Sequence, residues 1–91
     1  MIKEVIKKSG QKENYDENKI KNSIKKACEE AGVPEDRAEE IINTVLDHLN
    51  NIFKDREEVN TSEIREAILG KLDEIEPSVS EAWRKYEETQ K

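Results

Sequence analysis

The sequence predicts an α+β fold, an N-terminal β-hairpin packed on a four-helix bundle, and three observations carry that reading. The first fifteen residues alternate β-branched and polar side chains around Ser9-Gly10. Four later segments repeat apolar residues at helical spacing. Gly32, Pro34 and Pro77 fall between those segments, where chain breakers belong. Together they predict one domain over residues 1–91, with the hairpin at 1–15, the bundle at 16–88 and a polar tail at 89–91.

The hairpin comes first. Ile2, Val5 and Ile6 form a short β-branched run, and Gly10 supplies the positive φ expected of a two-residue turn at Ser9-Gly10. Alternation places Val5 and Lys7 on one face and Ile2 and Ile6 on the other. A two-stranded hairpin is marginal alone, so it must dock on the helices.

Helix 1 opens after Asp16, a good N-cap, and closes at Ala31-Gly32 with Gly32 at C′. Ile20, Ile24 and Cys28, with Ala27 and Ala31, form its apolar stripe. Pro34 suits the first turn of helix 2. That helix carries the widest stripe: Ala38, Ile41, Ile42, Val45, Leu46, Leu49, Ile52 and Phe53.

Residues 55–60 read as a polar connector, and Asn60 or Thr61 caps helix 3, with Glu63 placed for its first turn. Ile64, Ala67, Ile68, Leu72 and Ile75 supply the core face of helix 3. Gly70 weakens it by about 1 kcal/mol relative to Ala, which suggests a closely packed neighbour. Helix 4 follows Pro77, with Val79, Ala82, Trp83 and Tyr86 at i, i+3, i+4 and i+7; frayed chain is expected after Tyr86.

Charged residues make up 42% of the chain and hydrophobic ones 33%, a charged but periodic composition that fits a helical bundle better than disorder. No apolar run approaches the length of a membrane span, and Met1 to Lys8 lacks a signal peptide's apolar block. A single cysteine, Cys28, excludes an internal disulfide and a four-ligand zinc ribbon within these residues. The expected setting is reducing and cytoplasmic.

The net charge of −6 is unevenly spread. Residues 1–26 hold eight of the 16 basic side chains but only four of the 22 acidic ones. An acidic body disfavours nucleic acid, whose binding rests on many phosphate contacts. A compact basic pole suits one small polyphosphate. The same lysines serve equally as a solvated edge on charge alone.

No catalytic constellation emerges. His48 borders the apolar stripe of helix 2 with no nucleophile tied to it, and Cys28 falls in line with Ile20 and Ile24 as a buried thiol. The carboxylates are spread over helix surfaces, and no acid–base pair stands out. Trp83 and Tyr86 read as core anchors of a small bundle. There is no GxxxxGK[ST] loop, so any phosphate must be held by side-chain cations. Lys7 and Lys8 on the hairpin and Lys19 in the first turn of helix 1 are placed for that task, with the helix N–H groups beside them. Val5 and Ile20 offer an apolar wall for a base, and Thr61 reaches the same place if helix 3 abuts the hairpin.

The order Val5, Lys7, Lys8, Gly10, Glu13, Tyr15, Asp16, Lys19, Ile20 resembles the opening of the ATP-cone, a small nucleotide-sensing domain. The segments VNTSEI (59–64) and EPSVSEAW (76–83) resemble that family's third and fourth helices, so the likeness covers nearly the whole chain. It implies a regulatory module without catalytic activity that binds ATP or dATP, with Mg as a companion of the phosphates and no metal held by protein ligands. The positions matching the family's contact pattern are Val5, Lys7, Lys8, Glu13, Asp16, Lys19, Ile20 and Thr61. It further implies action through association with itself or with a protein partner related to ribonucleotide reductase; related cones follow a zinc ribbon in a repressor of reductase genes.

Four departures stand out. Lys8 replaces the more usual Arg and loses its planar fork. Ser9 stands for Asp, Lys12 for an apolar residue, and Glu87 for an Arg that would reach phosphate. With no reductase, zinc-ribbon or kinase domain in these residues, the expectation is a free-standing cone. The alternative is a degenerate cone that serves only as a helical interaction module.

Overall fold

The computed structural model describes residues 1–89. Its elements are β1 (Glu4–Ile6), β2 (Lys12–Asn14), α1 (Glu17–Glu30), α2 (Glu35–Ile52), β3 (Glu58–Asn60), α3 (Thr61–Ile75) and α4 (Pro77–Thr89). This is the α+β architecture expected, a small N-terminal sheet and four helices.

The sheet has one strand more than the hairpin reading supplied. Its order is β2-β1-β3, with β2 antiparallel and β3 parallel to β1. Part of the stretch read as a polar connector is therefore strand. Val59, its one apolar residue, is fully buried opposite Val5. The hairpin loop also differs. Gly10 N–H donates to the Lys7 carbonyl at 2.8 Å, and Lys7 N–H to the Gln11 carbonyl at 2.8 Å. Lys8, Ser9 and Gly10 thus form a three-residue loop, with Gly10 at φ +89° in the left-handed position that such loops demand. Ile2 lies ahead of β1, escapes the strand's alternation and enters the core, while Val5 packs against that core from the strand.

Each helix end has a local cause. Asp16 accepts a hydrogen bond from Asn18 N–H at 3.0 Å and caps α1. The other end closes in a Schellman motif: Gly32 N–H donates to Glu29 O and Val33 N–H to Cys28 O, with Gly32 at φ +76°. Pro34 takes the N-cap position of α2, just ahead of the first turn. Asn60 caps α3, and its N–H donates to the Glu63 carboxylate at 2.9 Å. Helix α4 continues through Thr89, beyond the fraying point expected after Tyr86; Gln90 and Lys91 of the expected polar tail lie outside the described residues.

The core is built around α2. Ile41, Val45 and Leu49 are fully enclosed, joined by Ile24 and Cys28 of α1, Ile68 and Leu72 of α3, and Val79 of α4. Leu69 is buried as well, outside the stripe assigned to α3 from spacing, whereas Ile52, counted in the stripe of α2, is exposed at the end of that helix. Gly70 has no close neighbour: a Cβ added there meets nothing within 4 Å, so close packing does not explain it. Trp83 is partly buried against the core, whereas Tyr86 is 41% exposed and takes the Lys26 ammonium 4.7 Å over its ring. No helix among the described residues is long and apolar enough to cross a membrane.

Helix directions decide where the helix ends meet. Arg37, at the start of α2, reaches the Glu76 carboxylate and the Ile75 carbonyl at the end of α3. Helices α2 and α3 are thus antiparallel, as are α1 and α2 across their short link, so α1 and α3 run the same way. On α4, Arg84 binds Asp73 of α3 and Glu87 binds Arg65, which makes α4 antiparallel to both. The N-termini of α1 and α3 therefore lie at one end of the bundle.

Candidate functional site at the hairpin end

Two helix N-termini at one end of a bundle point the positive ends of two dipoles to the same region, even though Asp16 and Asn60 cap part of their N–H groups. The sheet adds side chains to it. Val5 pairs with Glu13 on one side and Val59 on the other, so these residues share the sheet face that meets the core. Lys7, two residues on, has the parity of Val5, and its ammonium lies 2.8 Å from the Glu13 carboxylate. Lys12 pairs opposite Ile6 on the reverse face, where it bridges to Glu58 across β1 at 2.6 Å.

Helix α1 supplies Lys19 and Ile20. Lys7, by its hydrogen bond and its charge, holds Glu13 below the usual carboxylate range, and Lys19 adds to this from the first turn of α1. Lys19 is therefore close enough for its charge to be felt at Glu13. Ile20 packs partly buried against the core beside it. Strand β3 brings in the last residue. Asn60 lies opposite Ile6, so Thr61 opens α3 level with Lys7 at the hairpin loop.

Of the eight residues singled out from the sequence, Val5, Lys7 and Glu13 share one sheet face, the charge of Lys19 acts on Glu13, and Ile20 and Thr61 stand in the first turns of α1 and α3 at the same end of the bundle. Lys8 stands in the loop and is exposed. Asp16 is engaged locally, its carboxylate capping α1. Neither Lys8 nor Lys19 is paired with a carboxylate among the described residues, in contrast to Lys7. Two exposed cations and two helix N-termini at one end of the bundle attract a small anion.

Spacing alone did not single out Arg65, one turn past Thr61, or its partner Glu87. Arg65 Nε and Nη2 each donate to Glu87 at 2.8 Å, a bidentate fork from α3 to α4. The only signal for it in the sequence is the four-residue step from Thr61 to Arg65. Glu87, set where a phosphate-binding Arg was expected from the family, is thereby committed to a helix–helix contact.

The family model for the ATP cone domain matches residues 3–91. The chain belongs to the ATP-cone family. It is 38% identical over 72 residues to the transcriptional repressor NrdR of Clostridioides difficile, covering 79% of this chain and 46% of that protein. The NrdR proteins of Thermotoga neapolitana and Heliobacterium modesticaldum are 39% and 40% identical, over 74 and 72 residues. The chain spans about half the length of these curated relatives. The cone is a regulatory domain and not an enzyme, and ATP cones bind adenine nucleotides. No group of three or more His, Cys, Asp or Glu is arranged to hold a metal ion among the described residues.

Proposed function

We propose that this cone senses ATP or dATP at its hairpin end and passes the signal on through association, with itself or with a protein partner. The observation that supports the reading is that the N-termini of α1 and α3 share the hairpin end of the bundle, where Lys19 acts on Glu13 of the Val5–Glu13 rung. Lys8 and Lys19 bind the phosphates, with Lys7 shared between phosphate and Glu13. Val5 and Ile20 cover one face of the base while strand backbone groups read its edge. Mg accompanies the phosphates without protein ligands of its own.

The relatives are named as transcriptional repressors. By extension, the cone serves as the nucleotide-reading part of a regulator of gene expression. DNA contact is then made elsewhere than on this acidic domain, whose net charge of −6 opposes it.

Melting curves at matched ionic strength test the site. A ligand that binds only the folded chain adds RT ln(1 + [L]/Kd), about 2.7 kcal/mol at a hundredfold excess over Kd. For a domain of this size that raises the midpoint by roughly 10 °C or more. ATP and dATP should give such shifts, AMP and inorganic triphosphate smaller ones. No shift with either nucleotide leaves the degenerate interaction module, and equal shifts with triphosphate alone mean generic anion binding.

A further inference from the structure

The small sheet has two outer edges, and they are finished differently. On β3 the Glu57 carbonyl accepts from the Lys3 and Glu4 N–H groups, so Glu58 and Asn60 turn their backbone groups away from β1. Both are engaged there. Arg56 Nη2 donates to the Glu58 carbonyl at 3.2 Å, and Asn60 N–H donates to the Glu63 carboxylate at 2.9 Å. Side chains of the chain itself therefore close the β3 edge.

The β2 edge is open. Tyr15 N–H donates to the Lys3 carbonyl and Lys7 N–H to the Gln11 carbonyl, each at 2.8 Å, which makes Val5–Glu13 the hydrogen-bonded rung between them. Lys12 and Asn14 fall on the alternate rungs and point N–H and C=O away from β1. All of β2 is exposed, and no helix packs along it among the described residues. A lysine on an edge strand ordinarily blocks the addition of another strand. Lys12 does not stand in the way, because its ammonium is drawn back across β1 to Glu58 at 2.6 Å.

We propose that β2 is a self-association surface, where two copies of the chain join β2 to β2 antiparallel about a two-fold axis at Glu13. In that register Lys12 of each copy faces Asn14 of the other, and both outward N–H and C=O groups of each residue are satisfied. A shift by two residues sets Lys12 against Lys12 and Asn14 beside the loop, or Asn14 against Asn14 and Lys12 beside the Asp16 cap. Glu13 faces the Glu13 of the second copy. Like charges directly opposite are destabilising, but each carboxylate arrives with the Lys7 ammonium at 2.8 Å and with the charge of Lys19 acting on it. Three residues bury much less than the ~1,000 Å² that a stable interface needs, so the pairing is weak and reversible. It is independent of the nucleotide reading.

NMR of the labelled full chain, followed from micromolar to millimolar concentration without nucleotide, tests this. The amides of Lys12 and Asn14 should shift with concentration and exchange more slowly with solvent, while those of Glu13 and Tyr15, already turned toward β1, keep their exchange rates. Asn14→Glu sets opposite charges across both rungs to Lys12 and should tighten the pairing by up to about fivefold per rung; Asn14→Lys should weaken it by a like factor. Sedimentation at the highest concentration should give dimers and nothing larger, because each copy has one open edge. If the Lys12 and Asn14 amides stay fixed at every concentration in both the parent and Asn14→Glu, the edge takes no second copy and the proposal falls. If the chain dimerises with its largest changes on the helices, the interface lies elsewhere and the proposal falls equally. Either result leaves the nucleotide reading standing, since no nucleotide is present.

Discussion

Leu49 in the middle of α2 is completely enclosed, whereas Lys19, one turn into α1, is exposed and meets no carboxylate among the described residues. The two positions stand for two kinds of construction in one small domain. The helical body is closed by apolar packing and by Arg–carboxylate bridges such as Arg84–Asp73 and Arg37–Glu76. The hairpin end holds three-residue strands, an exposed loop, and two cations, Lys8 and Lys19, that bridge to no carboxylate among the described residues, beside Lys7 and Lys12, which do. Stability therefore resides in the body and charge for a ligand at the hairpin end, so mutations at the two should separate cleanly.

The largest effect belongs to the body. Leu49→Ala should cost about 2–5 kcal/mol, since it removes enclosed methyl groups from a core with little room to relax. Thermal melting should show a drop of more than 8 °C. A drop of only a degree or two would mean that α2 does not centre the core. The hairpin end should answer differently. Lys19→Glu should weaken ATP binding more than tenfold, or about 1.4 kcal/mol, while the melting midpoint stays near that of the parent. Unchanged ATP affinity in a folded Lys19→Glu chain would dissolve the distinction between the two regions.

How much of each region could be read in advance follows the same division. The body was legible because its stripes are long: α2 repeats its apolar spacing over 18 residues, and Gly32 and Pro34 mark the break before it. Leu69 escaped because it lies beside the stripe that Ile68 and Leu72 define. Strand β3 was not legible for a physical reason. Three residues, Glu58, Val59 and Asn60, give one apolar side chain and no alternation to count, and the parallel pairing with β1 spans more than fifty residues of chain. The individual site residues could be named from the hairpin and the helix caps, but their assembly depended on that strand. Without β3, Thr61 has no fixed relation to Lys7. The Arg65–Glu87 fork joins residues 22 apart on different helices, beyond what periodicity on one helix reveals.

A smaller effect tests whether the body has slack. Gly70 is exposed within α3 and a Cβ there meets open space. Its φ is not in the left-handed region, since only Gly10 and Gly32 are. Gly70→Ala should therefore stabilise the chain by up to about 1 kcal/mol through helix propensity and lost unfolded-state freedom. A rise of a few degrees in melting midpoint, with ATP affinity unchanged, is the expected result. A fall would reveal a contact at that helix face.

The smallest effect concerns acid, and it again separates body from hairpin. Arg84, with help from Ser80, holds the Asp73 carboxyl down from 3.8 to about 2 in the folded chain. A carboxyl whose folded pKa lies below its unfolded one binds more protons when unfolded. Its contribution is therefore complete above about pH 4 and is lost as the pH falls toward 2. Because the group is open to water, screening keeps this contribution small. Asp73→Asn removes the titration, so its stability should fall less steeply between pH 4 and pH 2 than that of the parent, in denaturant melts at low ionic strength. Glu13→Gln should flatten the curve as well, since Lys7 and Lys19 lower that carboxyl too. Only Glu13→Gln should also change ATP affinity, because Lys7 then loses its competitor for phosphate. If Asp73→Asn changed ATP affinity as much as Glu13→Gln, the α3–α4 bridges would belong to the site and not to the body.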